Sequence, residues 1–191
     1  MPVSHEQFVL SRLASPIGEL LIAVDAEERL RALDFADYEA RMHQLIRRRY
    51  GPAGVRLTEG FAPASIRQPI AAYFDGELAA IDTICVKTAG TPFQLQAWAA
   101  LRAIPAGTVT SYGAQAARIG RPLAVRAVGL ANGANPISIV VPCHRVIGAD
   151  AALTGYGGGV QRKRWLLVHE GIQLAGSAAC DPRQVELALQ S

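Results

Sequence analysis

The tripeptide Thr88-Ala89-Gly90 divides the chain into two stretches of different pattern. Before it, β-rich runs give way to helical ones; after it, short helices alternate with turns marked by glycine and proline. A chain of 191 residues, 50% hydrophobic, is long enough for one large domain or two small ones. The break at mid-length favours two. Charge changes at the same point: residues 1–90 carry ten Lys and Arg against twelve Asp and Glu, residues 91–175 carry eight against only Asp150 and Glu170, and the tail 176–191 is net −1. A basic second half is the electrostatic footprint of a nucleic-acid partner, although arginines on any solvated face look the same.

In the first half, Phe8–Leu13, Glu19–Val24 and Leu30–Phe35 read as three strands of a meander, the first two joined by Ser15-Pro16-Ile17-Gly18. Asp37 is placed to cap a helix over Tyr38–Tyr50 that Gly51-Pro52 stops, and Ser65 with Gln68 forms a capping box for a helix ending near Asp75-Gly76. Ile84 and Val86 alternate around Cys85 as a last strand. Nothing in this half points to catalysis. The N-terminus lacks the basic start and apolar core of a signal peptide, and no apolar run approaches the ~20 residues of a membrane span. A cytoplasmic location without membrane association is therefore expected. Cys85, Cys143 and Cys180 are odd in number, far apart and free of CxxC spacing, so neither a disulfide framework nor a zinc finger is expected.

The second half opens on Thr91-Pro92-Phe93-Gln94, an N-cap, a proline at the first helical position and a reciprocal Gln, which predicts a helix to about Ala103. Phe93, Ala97, Trp98 and Leu101 share one side of it, which makes Trp98 a core residue. Ser111 caps a short helix to Ile119, Gly120 stops it, and Pro122 opens a second helix through about Ala131. Two short helices across a tight glycine-containing turn fit a helix-turn-helix, a weak signal alone because many helical hairpins bind nothing.

The sharpest chemical feature is the β-branched run Ile137–Val141 leading into Pro142-Cys143-His144-Arg145-Val146. Its pattern predicts a stiff, buried strand. A thiol delivered at its end beside an imidazole and a cation can be held as thiolate, the nucleophilic form. A small buried hydrophobe is the commoner fate of a lone cysteine, and His144 could equally be a satisfied polar residue.

Asn135-Pro136 through Val146 resembles the active-site signature of the O6-alkylguanine-DNA alkyltransferases, most closely the bacterial members. The likeness continues, in order, through Phe93-Gln94, Trp98, Thr110-Ser111-Tyr112-Gly113, Arg126-Ala127-Val128-Gly129, Thr154-Gly155-Tyr156-Gly157-Gly158-Gly159 and Trp165-Leu166-Leu167 to His169-Glu170-Gly171. Residues 1–90 resemble the family only in layout. The resemblance implies a ribonuclease H-like α/β domain over 1–88, a mainly helical winged helix-turn-helix domain for DNA binding and alkyl transfer over 91–175, and a tail over 176–191. It implies direct-reversal repair, in which the alkyl group of O6-alkylguanine, and of O4-alkylthymine, passes irreversibly to Cys143 after the nucleotide is flipped out of duplex DNA.

By the same resemblance His144 activates Cys143 through a water, Glu170 orients His144, Tyr112 donates a proton toward guanine N3, and Asn135 braces the active-site turn. Val146, Tyr156, Gly157 and Gly158 form the base pocket. Arg126 is the finger that fills the vacated place in the stack, supported at the DNA by Ser111, Tyr112, Ala127 and Gly129, with the second helix in the minor groove and little sequence dependence. Cooperative self-association on DNA is left open. On residue type alone, Arg126 reads equally as a solvated helix residue, Tyr112 as a packed aromatic at a helix start and Glu170 as a solvated helix end. The chain departs from some relatives in having Gly157 where they carry serine, in lacking their zinc-binding Cys and His, and in lacking a separate cysteine-rich domain for transcriptional control. No cofactor or metal is expected. The rival readings are a lesion-binding relative without transfer activity, against which Cys143 itself argues, and a cysteine hydrolase that ignores DNA.

Overall fold

The computed structural model describes residues 6–149 and 152–174, so the tail over 176–191 lies outside the described residues. The chain forms two compact units. One runs to Thr91 and takes in Pro136–Val140; the other comprises Pro92–Asn135 and the described residues from Val141.

In the first unit β1 (Glu6–Leu13), β2 (Leu20–Val24) and β3 (Leu30–Phe35) form the expected antiparallel meander. Every residue of β2 and β3 is buried, which is why β2 reads as a continuous apolar run rather than an alternating one, while the charged Arg31 and Asp34 of β3 are buried with ion-pair partners, Asp25 and Arg41. A fourth strand, β4 (Val55–Glu59), pairs parallel with β1 and gives the order β3-β2-β1-β4. The polar Val-Arg-Leu-Thr-Glu has too weak a pattern to announce an edge strand. Phe8, Leu10, Leu21, Ala23 and Ala32 of the sheet pack with Met42 and Ile46 of helix α1 (Glu39–Tyr50) as one cluster. Helix α2 (Ala64–Phe74) follows β4.

Both expected caps differ. Asp37 lies inside a 3₁₀ turn, Ala36–Tyr38, that hands over directly to α1, whose N-cap is Tyr38, so Asp37 stands one residue before the capping position. Ser65 sits within the first turn of α2, whose N-cap is the extended Pro63, and its hydroxyl donates to Glu28 at 2.9 Å instead. The segment around Cys85 makes only a single bridge, Val86 to Leu30, rather than a strand. Ile137 likewise makes one parallel bridge, to Leu33, and then the run turns instead of continuing as the predicted strand. Ile139 has φ of 68°, in the left-handed region where a β-branched side chain is strained, and Val140 N–H closes back onto the Ser138 carbonyl at 2.7 Å.

The second unit contains α3 (Pro92–Arg102), β5 (Thr110–Ser111), α4 (Tyr112–Arg118), α5 (Val125–Gly133), β6 (Val146–Ile147) and α6 (Val160–His169), with β5 and β6 paired in parallel. Trp98 is buried, and its indole N–H donates to the Ala131 carbonyl at 2.9 Å. Ser111 caps α4 by accepting from Ala114 N–H at 3.1 Å, as its position predicted. The second helix begins three residues later than Pro122 suggested. Pro122 falls inside a turn closed by Ala124 N–H to the Arg121 carbonyl, so its fixed φ shapes the connection rather than the helix. The two helices are tied by a buried amide pair: Gln115 donates to Asn132 at 3.1 Å, Asn132 donates back at 2.7 Å, and Gln115 also donates to the Ala97 carbonyl of α3.

This pair sets a test of the helix-turn-helix. Asn132→Ala and Gln115→Ala should each cost about 1–3 kcal/mol, because each strands a buried amide, and the double substitution should cost clearly less than both losses together. Urea unfolding of the three variants measures this; full additivity would mean that the two amides do not support one another.

Candidate active site

The segment that carries Cys143 is built by backbone turns rather than by a strand. Cys143 N–H donates to the Val141 carbonyl at 2.8 Å, and Cys143–Arg145 form a 3₁₀ turn leading into β6. Asn135 is buried at the end of the preceding loop. Its amide donates to the Val141 carbonyl at 2.7 Å and lies 3.4 Å from the Cys143 sulfur, so one side chain holds both the turn and the thiol.

His144 and Glu170 are buried and meet at 2.9 Å, from Nε2 to Oε1. Burial favours the neutral imidazole and depresses the His144 pKa. Burial alone would raise Glu170, but the hydrogen bond from His144 and two from Arg145 hold its carboxyl well below the usual carboxylate range. Since His144 is held neutral, the charge that keeps Glu170 ionised is Arg145's. An ionised carboxylate only accepts, so Nε2 carries the imidazole proton and Nδ1 is the basic nitrogen. Nδ1 is buried and meets no hydrogen-bond partner among the described residues.

Arg145 is where the geometry departs most from the sequence reading. Its guanidinium is directed to both Glu170 oxygens at 2.9 Å and to the Ile104 carbonyl at 2.6 Å, making it the counter-charge of Glu170. A second buried cation, Lys163 on α6, donates to the Val146 carbonyl at 2.6 Å and the Thr154 carbonyl at 2.8 Å. Desolvation pushes the Lys163 pKa down to about 8. In the sequence Lys163 stands between two arginines in an ordinary basic run, and no local signal marks it as buried.

Cys143, Tyr112, Tyr156 and Gly157 line one cavity of about 300 Å³ with Gly129, Asn132 and Gly133 of α5 and with Gly155. Its size is within the range of small-ligand sites. A Cβ at Gly129 would meet the Tyr112 ring at 3.9 Å, an ordinary contact, so the bare glycine leaves cavity space open rather than relieving a clash. Asn132 was not singled out in the sequence and enters the lining through its place on α5. Val146 and Gly158 do not line this cavity; their carbonyls accept from Lys163 and Arg162. Arg126 and Ala127 are exposed on α5, away from the cavity lining. Among the described residues no group of three or more His, Cys, Asp and Glu is placed to hold a metal ion, and no helix is long and apolar enough to cross a membrane.

Fold and site together define a class: a helix-turn-helix protein whose second helix walls a pocket containing a cysteine backed by a buried His-Glu pair. The comparisons agree. Residues 92–172 match the DNA-binding domain of 6-O-methylguanine DNA methyltransferase and residues 9–88 its ribonuclease-like domain. The chain is 54% identical over 163 residues to a methylated-DNA–protein-cysteine methyltransferase of Salmonella typhimurium, covering 85% of this chain and 95% of the relative. It is also similar to Mycobacterium tuberculosis OGT in complex with DNA (TM-score 0.70, 36% identity, 96% and 99% of the two chains) and to the O6-methylguanine-DNA methyltransferase of Pyrococcus kodakaraensis (TM-score 0.66, 27% identity, 86% and 99%). The chain belongs to the 6-O-methylguanine DNA methyltransferase family.

The charge cluster has a stability consequence. Glu170→Gln leaves the Arg145 guanidinium buried without its carboxylate and should cost about 3–5 kcal/mol at neutral pH. Because the folded-state pKa of Glu170 is depressed, its contribution is fully present above the usual carboxylate range and is lost as pH falls toward the folded value. Thermal unfolding from neutral to acidic pH should therefore show the variant and the parent converging as pH falls; a gap independent of pH would remove Glu170's ionisation from the account.

Proposed function

We propose that the protein is a methylated-DNA–protein-cysteine methyltransferase that repairs O6-alkylguanine in duplex DNA by a single, irreversible transfer to Cys143. The observation that carries this reading is the Cys143 sulfur in a cavity walled by the second helix of a helix-turn-helix, next in sequence to a buried imidazole whose proton is fixed by a carboxylate. The target oxygen is stacked inside a duplex, so the nucleotide must rotate out to reach such a cavity. Residues 1–88 serve as the α/β domain, residues 91–175 carry DNA binding and transfer, and the protein acts in the cytoplasm.

His144 Nδ1 takes the thiol proton, through a water, and the sulfur attacks the alkyl carbon. The S–C bond forms as the C–O bond breaks. The electron pair leaves with guanine, which takes a proton from the Tyr112 hydroxyl at N3, while the proton gained by His144 is stabilised by ionised Glu170. Asn135 keeps the sulfur aimed. Backbone groups at Cys143 and Gly157 hold the base within the lining that Tyr156 completes. Arg126 fills the vacated place in the stack, with Ser111, Ala127 and Gly129 allowing close approach to the backbone. A thioether offers no leaving group that water can displace, so each molecule reacts once. The lesion-binding alternative has no use for an aimed thiol.

On mixing with duplex containing O6-methylguanine, intact mass should rise by one methyl group, mapped to Cys143, and Cys143→Ala should lose transfer while keeping DNA binding. A methyl on Cys85 or Cys180, or repeated turnover, would overturn the assignment. Arg126→Ala should reduce repair of duplex far more than repair of the free alkylated base, because the arginine offsets unstacking and takes no part in bond making. Equal losses in single-turnover rates on the two substrates would remove the finger role.

A further inference from the structure

The sheet of the first unit has a step in its edge. β4 stops at Glu59, opposite Leu10, and Gly60 closes the ladder by donating to the Leu10 carbonyl at 3.0 Å, whereas β1 runs on to Leu13. Only glycine lets the chain turn off so close to β1, because a Cβ at Gly60 would meet the Val9 side chain at 2.8 Å. Backbone groups of alternate strand residues point to the same side, so the N–H and C=O of Arg12 face the edge that β4 has left. Neither meets a backbone partner on that side among the described residues. A cavity of about 390 Å³ opens at the step, lined by Ser11, Arg12, Glu59, Gly60 and Phe61.

The lining carries groups that the fold does not use. Ser11 is 1% exposed, and its hydroxyl meets no hydrogen-bond partner among the described residues, a cost that a ligand in the cavity would relieve. Phe61 is 89% exposed, and Glu59 is exposed with no ion pair among the described residues. Charge indicates what they fit. Arg12 is held by Glu19 at 2.9 Å and Glu39 at 3.3 Å, so with Glu59 three carboxylates stand around one lining guanidinium. Arg67, the neighbouring cation, donates to the Ala62 carbonyl and does not line the cavity. Such a cleft repels phosphates and favours a cation. A planar guanidinium can lie on the Phe61 ring, pair with Glu59 through two N–H groups and donate to the Ser11 hydroxyl, which the point charge of an ammonium matches poorly. The open N–H and C=O of Arg12 call in addition for a peptide backbone beside them.

We propose that this cleft binds an extended, arginine-bearing peptide segment of a partner protein, whose backbone pairs with Arg12 beyond the end of β4 and whose arginine side chain lies between Phe61 and Glu59. The site belongs to the first unit alone and is independent of the repair reading.

The test titrates isotope-labelled full-length protein with the acetylated, amidated peptide Gly-Arg-Gly and follows backbone amide signals by NMR. Signals of Ser11, Arg12, Gly60 and Phe61 should shift saturably, with a Kd on the order of 1 mM. The lysine peptide, and the citrulline peptide of the same shape without the charge, should bind about tenfold more weakly. Phe61→Ala and Glu59→Gln should each weaken the arginine peptide about fivefold. Both side chains are exposed, so these variants should melt with the parent, which separates a lost contact from a lost fold. Ser11→Ala should melt no earlier than the parent, because its hydroxyl has no partner to lose; an early-melting variant would show the hydroxyl already engaged and count against the site. No saturable shift at these residues, or equal binding of the three peptides, would overturn the proposal. Guanosine monophosphate shifting the same signals more strongly would assign the cleft to a nucleobase, and self-association of the parent dispersed by Phe61→Ala would assign it to a second copy. Either result would overturn the proposal as well.

Discussion

A single buried carboxylate organises the chemistry of this protein. Glu170 accepts two hydrogen bonds from Arg145 and one from His144, and Arg145 is in turn anchored to the Ile104 carbonyl. Burying one ion pair is seldom a net gain over apolar packing, so its presence is better understood through what it specifies. It fixes the imidazole proton on Nε2, turns Nδ1 into the base and keeps the ring neutral until a proton arrives. Removing any one member would leave a buried charge or an undirected ring.

Geometry around the thiol is set by strain as much as by contacts. Ile139 at φ 68° and the tight closures at Val140 and Cys143 interrupt what would otherwise be an extended run. Left-handed backbone at a β-branched residue costs roughly 1–3 kcal/mol, and such cost persists where neighbouring structure over-determines it. Here Asn135 supplies part of that determination by holding the Val141 carbonyl and the sulfur together. The result is a thiol offered from a turn, where its side chain lines a cavity, rather than from a strand.

Helix α5 serves two surfaces. Gly129, Asn132 and Gly133 wall the cavity while Arg126, Ala127 and Leu130 face outward. The glycines matter on the inner side because they leave volume. Asn132 couples this helix to α4 through Gln115, so the cavity wall and the helix-turn-helix share one buried amide pair.

Periodicity determined the meander, the core face of α3 with Trp98, and the cap at Ser111, because each depends on local spacing or on a side chain bonding its own backbone. The motif around Cys143 singled out Cys143, His144 and Glu170 because their order along the chain carried a likeness to a known family, and the structure brings His144 and Glu170 together. Local pattern misled wherever a non-local partner outweighed it: Ser65 turned to Glu28 instead of capping α2, Pro122 shaped a turn, and the β-branched run before Cys143 broke at Ile139. Only the tertiary structure decided the partners of charge. Arg145, two residues from the thiol in sequence, points to Glu170, while Lys163, in the middle of an ordinary basic run, is buried against the Val146 and Thr154 carbonyls. The physical reason is that desolvated charges must be satisfied by whichever groups the fold brings within hydrogen-bond reach, and a one-dimensional spacing carries no record of that proximity.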